Sequence, residues 1–203
     1  MADLKVTYFD FSGSRGEEVR LALAIAGADF EDNRLARGRF NETRGDYPFG
    51  SLPVLDIAGH GVFAHSNAIL RLIGRLYGMY PDDVYEAARH DGLLEACEEF
   101  RHRAGATRND DMDKRMAARA EFASGFLPRW AQGVERVLGS GPFAGGAKPG
   151  VADVKLYIIH QFISGGTLDG VPVESFAPFG KFGAVAAGVA AHPAVVAWQA
   201  KHA

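Results

Sequence analysis

Leu4-Lys5-Val6-Thr7-Tyr8-Phe9 sets apolar against polar positions in a chain segment rich in β-forming residues, which predicts a strand. Ser12 to Gly16 supplies turn residues, and an apolar pattern through Ala26 (Val19, Leu21, Leu23, Ala24, Ile25) predicts a buried helix that Gly27 stops. Phe30 to Leu35 reads as a second strand, and the polar stretch Arg37 to Asp46 as a loop holding one helical turn. Val54-Leu55-Asp56-Ile57 and Val62-Phe63-Ala64 read as two more strands, joined at Ala58-Gly59-His60-Gly61, whose glycines suit a hairpin. Ser66-Asn67 then forms a polar cap for a helix over Ala68 to Leu76. The order is strand, helix, strand, short helix, two strands, helix. Beyond Tyr80-Pro81-Asp82-Asp83 the strand signals end, and helical patterns cover Val84 to Ala106, Met112 to Leu138, Val151 to Ser164 and Phe182 to Gly188. The pattern divides near Pro81, giving an α/β domain over 1–80 and an all-helical domain over 83–203.

Composition narrows the function. With 22 basic and 25 acidic residues interspersed, the chain has no electrostatic footprint for nucleic acid or an anionic membrane. The lone Cys97 excludes an intrachain disulfide, a CxxC redox pair and a cysteine-rich zinc site. It reads as a packed side chain in a reducing compartment, the cytoplasm. The seven histidines show no metal-ligand spacing, so no metal is expected. The opening MADLKVTYFDF lacks a basic stretch followed by a continuous apolar one, and no run of about 18 apolar residues occurs, so neither export nor membrane insertion is expected.

Three segments agree in order and spacing with one family: Tyr8-Phe9 at the end of the first strand, Phe49-Gly50-Ser51-Leu52-Pro53-Val54-Leu55 in the middle, and His65-Ser66-Asn67-Ala68-Ile69-Leu70-Arg71 at the last helix of the α/β half. Together they resemble the cytosolic glutathione transferases. The Tyr-Phe pair, the arginine-bearing loop and the closing His-Pro-Ala-Val-Val-Ala-Trp look most like the sigma class, which includes haematopoietic prostaglandin D synthases. The resemblance implies a thioredoxin-like first domain, an all-helical second domain, and glutathione as co-substrate.

It also implies roles. A free thiol, with a pKa near 8.5, is mostly protonated at neutral pH, whereas the thiolate is the nucleophile. The matching Tyr8 would donate a hydrogen bond to the glutathione sulfur, favouring its charged form. Arg15 would add positive potential or order the loop, although Asp10 to Gly16 carries one residue more than the sigma pattern. Pro53 matches a proline that follows a cis bond in this fold; Leu52 would then offer its backbone N–H and C=O to the cysteinyl unit, with Ser51 alongside. His65, where glutamine is usual, and Ser66 would meet the γ-glutamyl carboxylate at a helix start, where amides and dipole attract anions. Phe40 and Arg44 stand where tryptophan and lysine usually contact the glycyl end; Arg44 keeps the charge and Phe40 loses an N–H donor.

In the helical half Glu98-Glu99 matches acidic residues that reach the γ-glutamyl amine across a subunit interface, and Glu99 is the choice; this requires a homodimer. Phe11, Arg101 and Ile159 would line the site for a small hydrophobic electrophile. Gly150-Val151-Ala152-Asp153 resembles a buried capping box with glycine replacing the hydroxyl residue, which leaves Asp153 a structural role. The activity implied is conjugation of glutathione to hydrophobic electrophiles, a detoxification reaction. A non-catalytic, crystallin-like binder, or a glutathione-dependent isomerase or peroxidase using the same site, fits the same residues.

Overall fold

The computed structural model describes residues 3–202. These fall into two compact units, one formed by Met1–Tyr80 with Ala191–Ala203 and the other by Pro81–Ala190.

In the first unit, strands β1 (Leu4–Phe9), β2 (Glu31–Leu35), β3 (Val54–Ile57) and β4 (Gly61–Ala64) form one sheet in the order β2-β1-β3-β4. β1 pairs parallel to β2 and antiparallel to β3, and β3 pairs antiparallel to β4. The parallel pair needs a crossover, supplied by helix α1 (Ser14–Ile25). The β3–β4 hairpin turns through Gly59 and Gly61 at φ values of 81° and 91°, a region that glycine enters without steric penalty. Helix α2 (Arg37–Thr43) follows β2, and helix α3 (Ser66–Tyr77) follows β4. This is the thioredoxin-like order that the resemblance implies. Val6, Leu55, Val19, Leu21, Ile69 and Leu70 are buried where α1 and α3 pack on the sheet.

The second unit is helical: α4 (Val84–Ala106), α5 (Met112–Glu121), α6 (Leu127–Val137), α7 (Val151–Ser164) and α8 (Gly180–Ala190). Asp83 and Asp111 cap α4 and α5 by accepting bonds from two backbone N–H groups each. α7 is buried along most of its length, and Phe100 of α4 meets Phe122, Trp130, Phe162 and Phe176 in an aromatic core. Asp153 does the work of the capping box alone. Its two oxygens accept from the Gly150 and Ala144 N–H groups, each at 2.8 Å, since Gly150 has no side chain to return a bond. Burial pushes the Asp153 carboxyl up, against the pull of those two donors.

Four sequence expectations need correction. The polar stretch after β2 is not a loop with a single helical turn but the seven-residue α2 and a short 3-10 turn, Arg44–Asp46, because Phe40 gives that segment a buried anchor. The pattern Met112 to Leu138 is interrupted by a π-helical turn, Phe122–Phe126, in which the Leu127 N–H bonds back to Phe122. That turn lies just ahead of Pro128, which has no N–H to continue the ordinary ladder. Ser66 is the first residue of α3 and not its cap; His65 holds the cap position at φ 65° with no side-chain cap bond. Finally, a ninth helix, α9 (Pro193–Lys201), lies beyond the last helical pattern, Phe182 to Gly188, and packs with the first unit. Val195 is buried, and the Trp198 ring stacks on Phe30 at 5.3 Å.

Candidate active site

Strand register decides which side chains meet. Thr7 pairs with Val54, and Val54 with Ala64, so Tyr8, the Leu52–Pro53 pair and His65-Ser66 all lie at one end of the sheet. Phe9 pairs with Leu35 at the same end, where β2 leads into α2 with Phe40 and Arg44. The residues of the first unit that the resemblance assigns to glutathione therefore gather along one edge.

The Tyr8 ring is almost wholly buried between the edges of Phe9, at 5.3 Å, and Phe11, at 5.5 Å. Gly16, in the first turn of α1, closes the other side: a Cβ there would stand closer to three Tyr8 carbons than non-bonded carbons can approach. The ring is thus held while its hydroxyl has no hydrogen-bond partner among the described residues. Below it lies Arg20, its guanidinium carbon 5.7 Å from the ring centroid and its side chain fully buried. Arg20 donates to Asp32 at 2.7 Å, to the Phe11 carbonyl at 2.9 Å, and to Glu17 and the Phe9 carbonyl at 3.3 Å. Asp32 also accepts from Arg34 at 2.7 Å. Burial works against the Arg34 charge, but the Asp32 carboxylate, with Glu17 and Asp10 behind it, outweighs this and holds the Arg34 pKa above its usual value. Arg15 is half-buried in the first turn of α1.

At the middle of the edge the Leu52–Pro53 bond is cis, and Pro53 is buried while Ser51 and Leu52 are half-buried. Neither the N–H nor the C=O of Leu52 has a partner among the described residues. Next to it Ser66 is buried, and His65 is exposed with its ring 4.7 Å from that of Phe49. Phe40 is buried in a T-shaped contact with Phe9 at 5.2 Å, and the exposed Arg44 lays its guanidinium 5.2 Å over the Phe40 ring. Phe11 is 39% exposed.

In the second unit, Glu98 and Glu99 differ. Glu98 accepts from the fully buried Lys155 Nζ at 2.5 Å, whereas Glu99 is exposed with Arg103 3.8 Å away on the next turn. Arg101 is half-buried, Ile159 fully buried on α7, and Cys97 buried in α4. Among the described residues no group of three or more His, Cys, Asp or Glu could hold a metal ion, and no single helix is long and apolar enough to cross a membrane.

Gly16, Glu17, Arg20 and Asp32 were given no role at the site from sequence, and Trp198 entered only as the end of the closing His-Pro-Ala-Val-Val-Ala-Trp. Glu17 and Arg20, three residues apart inside an otherwise buried helix, carry the signal that was available: charges there must be paired.

Comparison with known proteins shows the family. Residues 4–75 match the glutathione S-transferase N-terminal domain, and residues 98–202, just over half of the chain, match the glutathione S-transferase C-terminal domain. Glutathione S-transferase 1 of Ascaris suum is 40% identical over 100 residues, and the hematopoietic prostaglandin D synthase of Gallus gallus 33% over 101, each match covering 49% of this chain. The chain matches these two curated relatives over about half of their length, 48% and 49%. The crystal structure of the glutathione S-transferase from Ascaris lumbricoides superposes with a TM-score of 0.82 at 26% identity, covering 99% of this chain and 98% of that one. The chain belongs to the glutathione S-transferase family.

Proposed function

We propose that this protein is a glutathione transferase, closest to the sigma class, that binds glutathione along the sheet edge, holds its thiol as the thiolate and adds it to small hydrophobic electrophiles. The observation that carries the reading is the meeting of three groups without a partner among the described residues at one edge: the Tyr8 hydroxyl, and the backbone N–H and C=O of Leu52. A peptide laid along that edge as a short added strand satisfies both Leu52 groups and brings its cysteine towards Tyr8. The phenol then donates to the sulfur, and a hydrogen bond made to the charged form lowers the thiol pKa. Arg15 supports the negative charge. His65 and Ser66, at the start of the twelve-residue α3, receive the γ-glutamyl carboxylate where backbone N–H groups and the helix dipole favour an anion. Arg44, stacked on Phe40, faces the glycyl carboxylate, and Ser51 and Pro53 frame the cysteinyl unit. Glu99 serves the γ-glutamyl amine of a second copy in a homodimer. The setting is the cytoplasm and the role detoxification.

A second reading, glutathione-dependent isomerisation at the same site, is favoured by one observation: a relative among those matched is named a prostaglandin D synthase. Incubation with glutathione and chlorodinitrobenzene tests the first reading. Steady conjugation that falls roughly ten- to a hundredfold in Tyr8→Phe, the effect of one charge-assisted hydrogen bond, supports it. Binding of glutathione without turnover points to a binder, and conversion of a prostaglandin endoperoxide with glutathione unconsumed points to the isomerase.

A further inference from the structure

We infer that Arg20 is a positioning residue for Tyr8, and that Trp198 of the last helix keeps it in place through Glu17. The inference rests on the reading of Tyr8 as the thiol-activating group. A fully buried guanidinium is tolerable only if its donors are satisfied, and here they are satisfied by the structure around the tyrosine. Two of its acceptors are the Phe9 and Phe11 carbonyls, on either side of Asp10, where β1 ends and the loop to Arg15 departs. The same cation lies 5.7 Å from the Tyr8 ring centroid. Arg20 therefore fixes the backbone on which Tyr8 stands, the loop that brings Phe11 against its ring, and the underside of the ring itself.

The orientation of Arg20 depends in turn on its carboxylates. Asp32 is shared with Arg34. Glu17 is nearly buried, faces Arg20 with one oxygen at 3.3 Å and accepts the Trp198 indole N–H on the other at 2.7 Å. Trp198 is fixed by stacking on Phe30 at 5.3 Å and His202 at 4.0 Å. The path runs from α9 through one indole N–H, one carboxylate and one guanidinium to the two carbonyls beside Tyr8, all within the first compact unit. A salt bridge that served only to tie α1 to β2 would need Asp32 alone.

The test compares wild type, Tyr8→Phe, Trp198→Phe and Glu17→Gln by steady-state kinetics with glutathione and chlorodinitrobenzene across pH, alongside thermal melting. Trp198→Phe keeps an aromatic ring on Phe30 and removes the N–H together with part of the indole's stacking surface. Glu17→Gln keeps an acceptor for Trp198 and removes the charge facing Arg20, so it serves if Trp198→Phe fails to fold. The expected result is a three- to tenfold fall in kcat in both, with KM for glutathione within twofold of wild type and the pH-rate midpoint moved upward, towards that of Tyr8→Phe. Lowered melting with kcat and midpoint unchanged overturns the relay and leaves the role of Tyr8 standing. If Tyr8→Phe itself keeps the wild-type midpoint, both the relay and the reading beneath it fall.

Discussion

The role proposed for Tyr8 runs through its oxygen, but what distinguishes this site is how the tyrosine's carbon atoms are held. Phe9 and Phe11 fix two edges, Arg20 lies beneath, and Gly16 is the point where the backbone of α1 comes too close for any side chain. Gly16→Ala must therefore displace the tyrosine ring, since the carbons it meets lie at the base of that ring and cannot swing aside. The expected outcome is a kcat lowered about tenfold, ~1.4 kcal/mol in the barrier, with KM for glutathione little changed; steady-state kinetics at saturating electrophile measure it. His160 makes a different kind of statement. Burial against Phe176 and Phe182 lowers its pKa, so the fold favours the neutral ring. As pH falls through about 6.5 the unfolded chain takes up this proton before the folded one does, and stability is lost; above that value the residue has no effect. Wild type should lose more melting temperature between about pH 8 and about pH 5 than His160→Gln does. An equal loss in both would remove His160 from the account.

The elements were legible to different degrees, for physical reasons. β1, β3, α4 and α7 follow from period and turn residues, because each buries one face or one continuous stretch against its own unit, and β4 follows from the glycine turn that pairs it with β3. α2 was only partly legible from local signals: its polar sequence reads as one helical turn, and the longer helix is anchored by Phe40, buried against Phe9. α9 has apolar residues without a clear stripe, and its fold is decided by Val195 and Trp198 meeting α1 and Phe30, partners more than 160 residues distant. The grouping at one end of the sheet was legible where it depends on motif order, at Tyr8, Leu52-Pro53 and His65-Ser66. It was not legible where it depends on packing, at Gly16 and in the Trp198–Glu17–Arg20 chain. The dependence of α9 on tertiary contact can be measured. Val195→Ala removes buried methyl groups and should cost about 1–3 kcal/mol. Hydrogen exchange should then quicken in α9 and the facing side of α1 while α4 and α7 stay protected. Uniform loss of protection across both units would show that α9 is not the local element described.

At the scale of the molecule, Ala191–Ala203 returns to the first unit, so the α/β unit is not finished until α9 is made. A sheet edge that gathers Tyr8, Leu52 and Ser66 is built from β1, β3, β4 and α3, all within residues 4–77, and α9 completes what lies behind it. The helical unit contributes Glu99, which the proposed homodimer brings into use; sedimentation should give twice the mass of one chain. Everything in the functional account depends on a phenol lowering the pKa of a bound thiol. Titration of the glutathione complex by the ultraviolet absorbance of its thiolate measures this without any electrophile. The account predicts that bound glutathione in the wild type ionises at least one pH unit below free thiol, near 8.5, and that Tyr8→Phe returns it towards that value with glutathione still bound. A midpoint identical in the two proteins would contradict it.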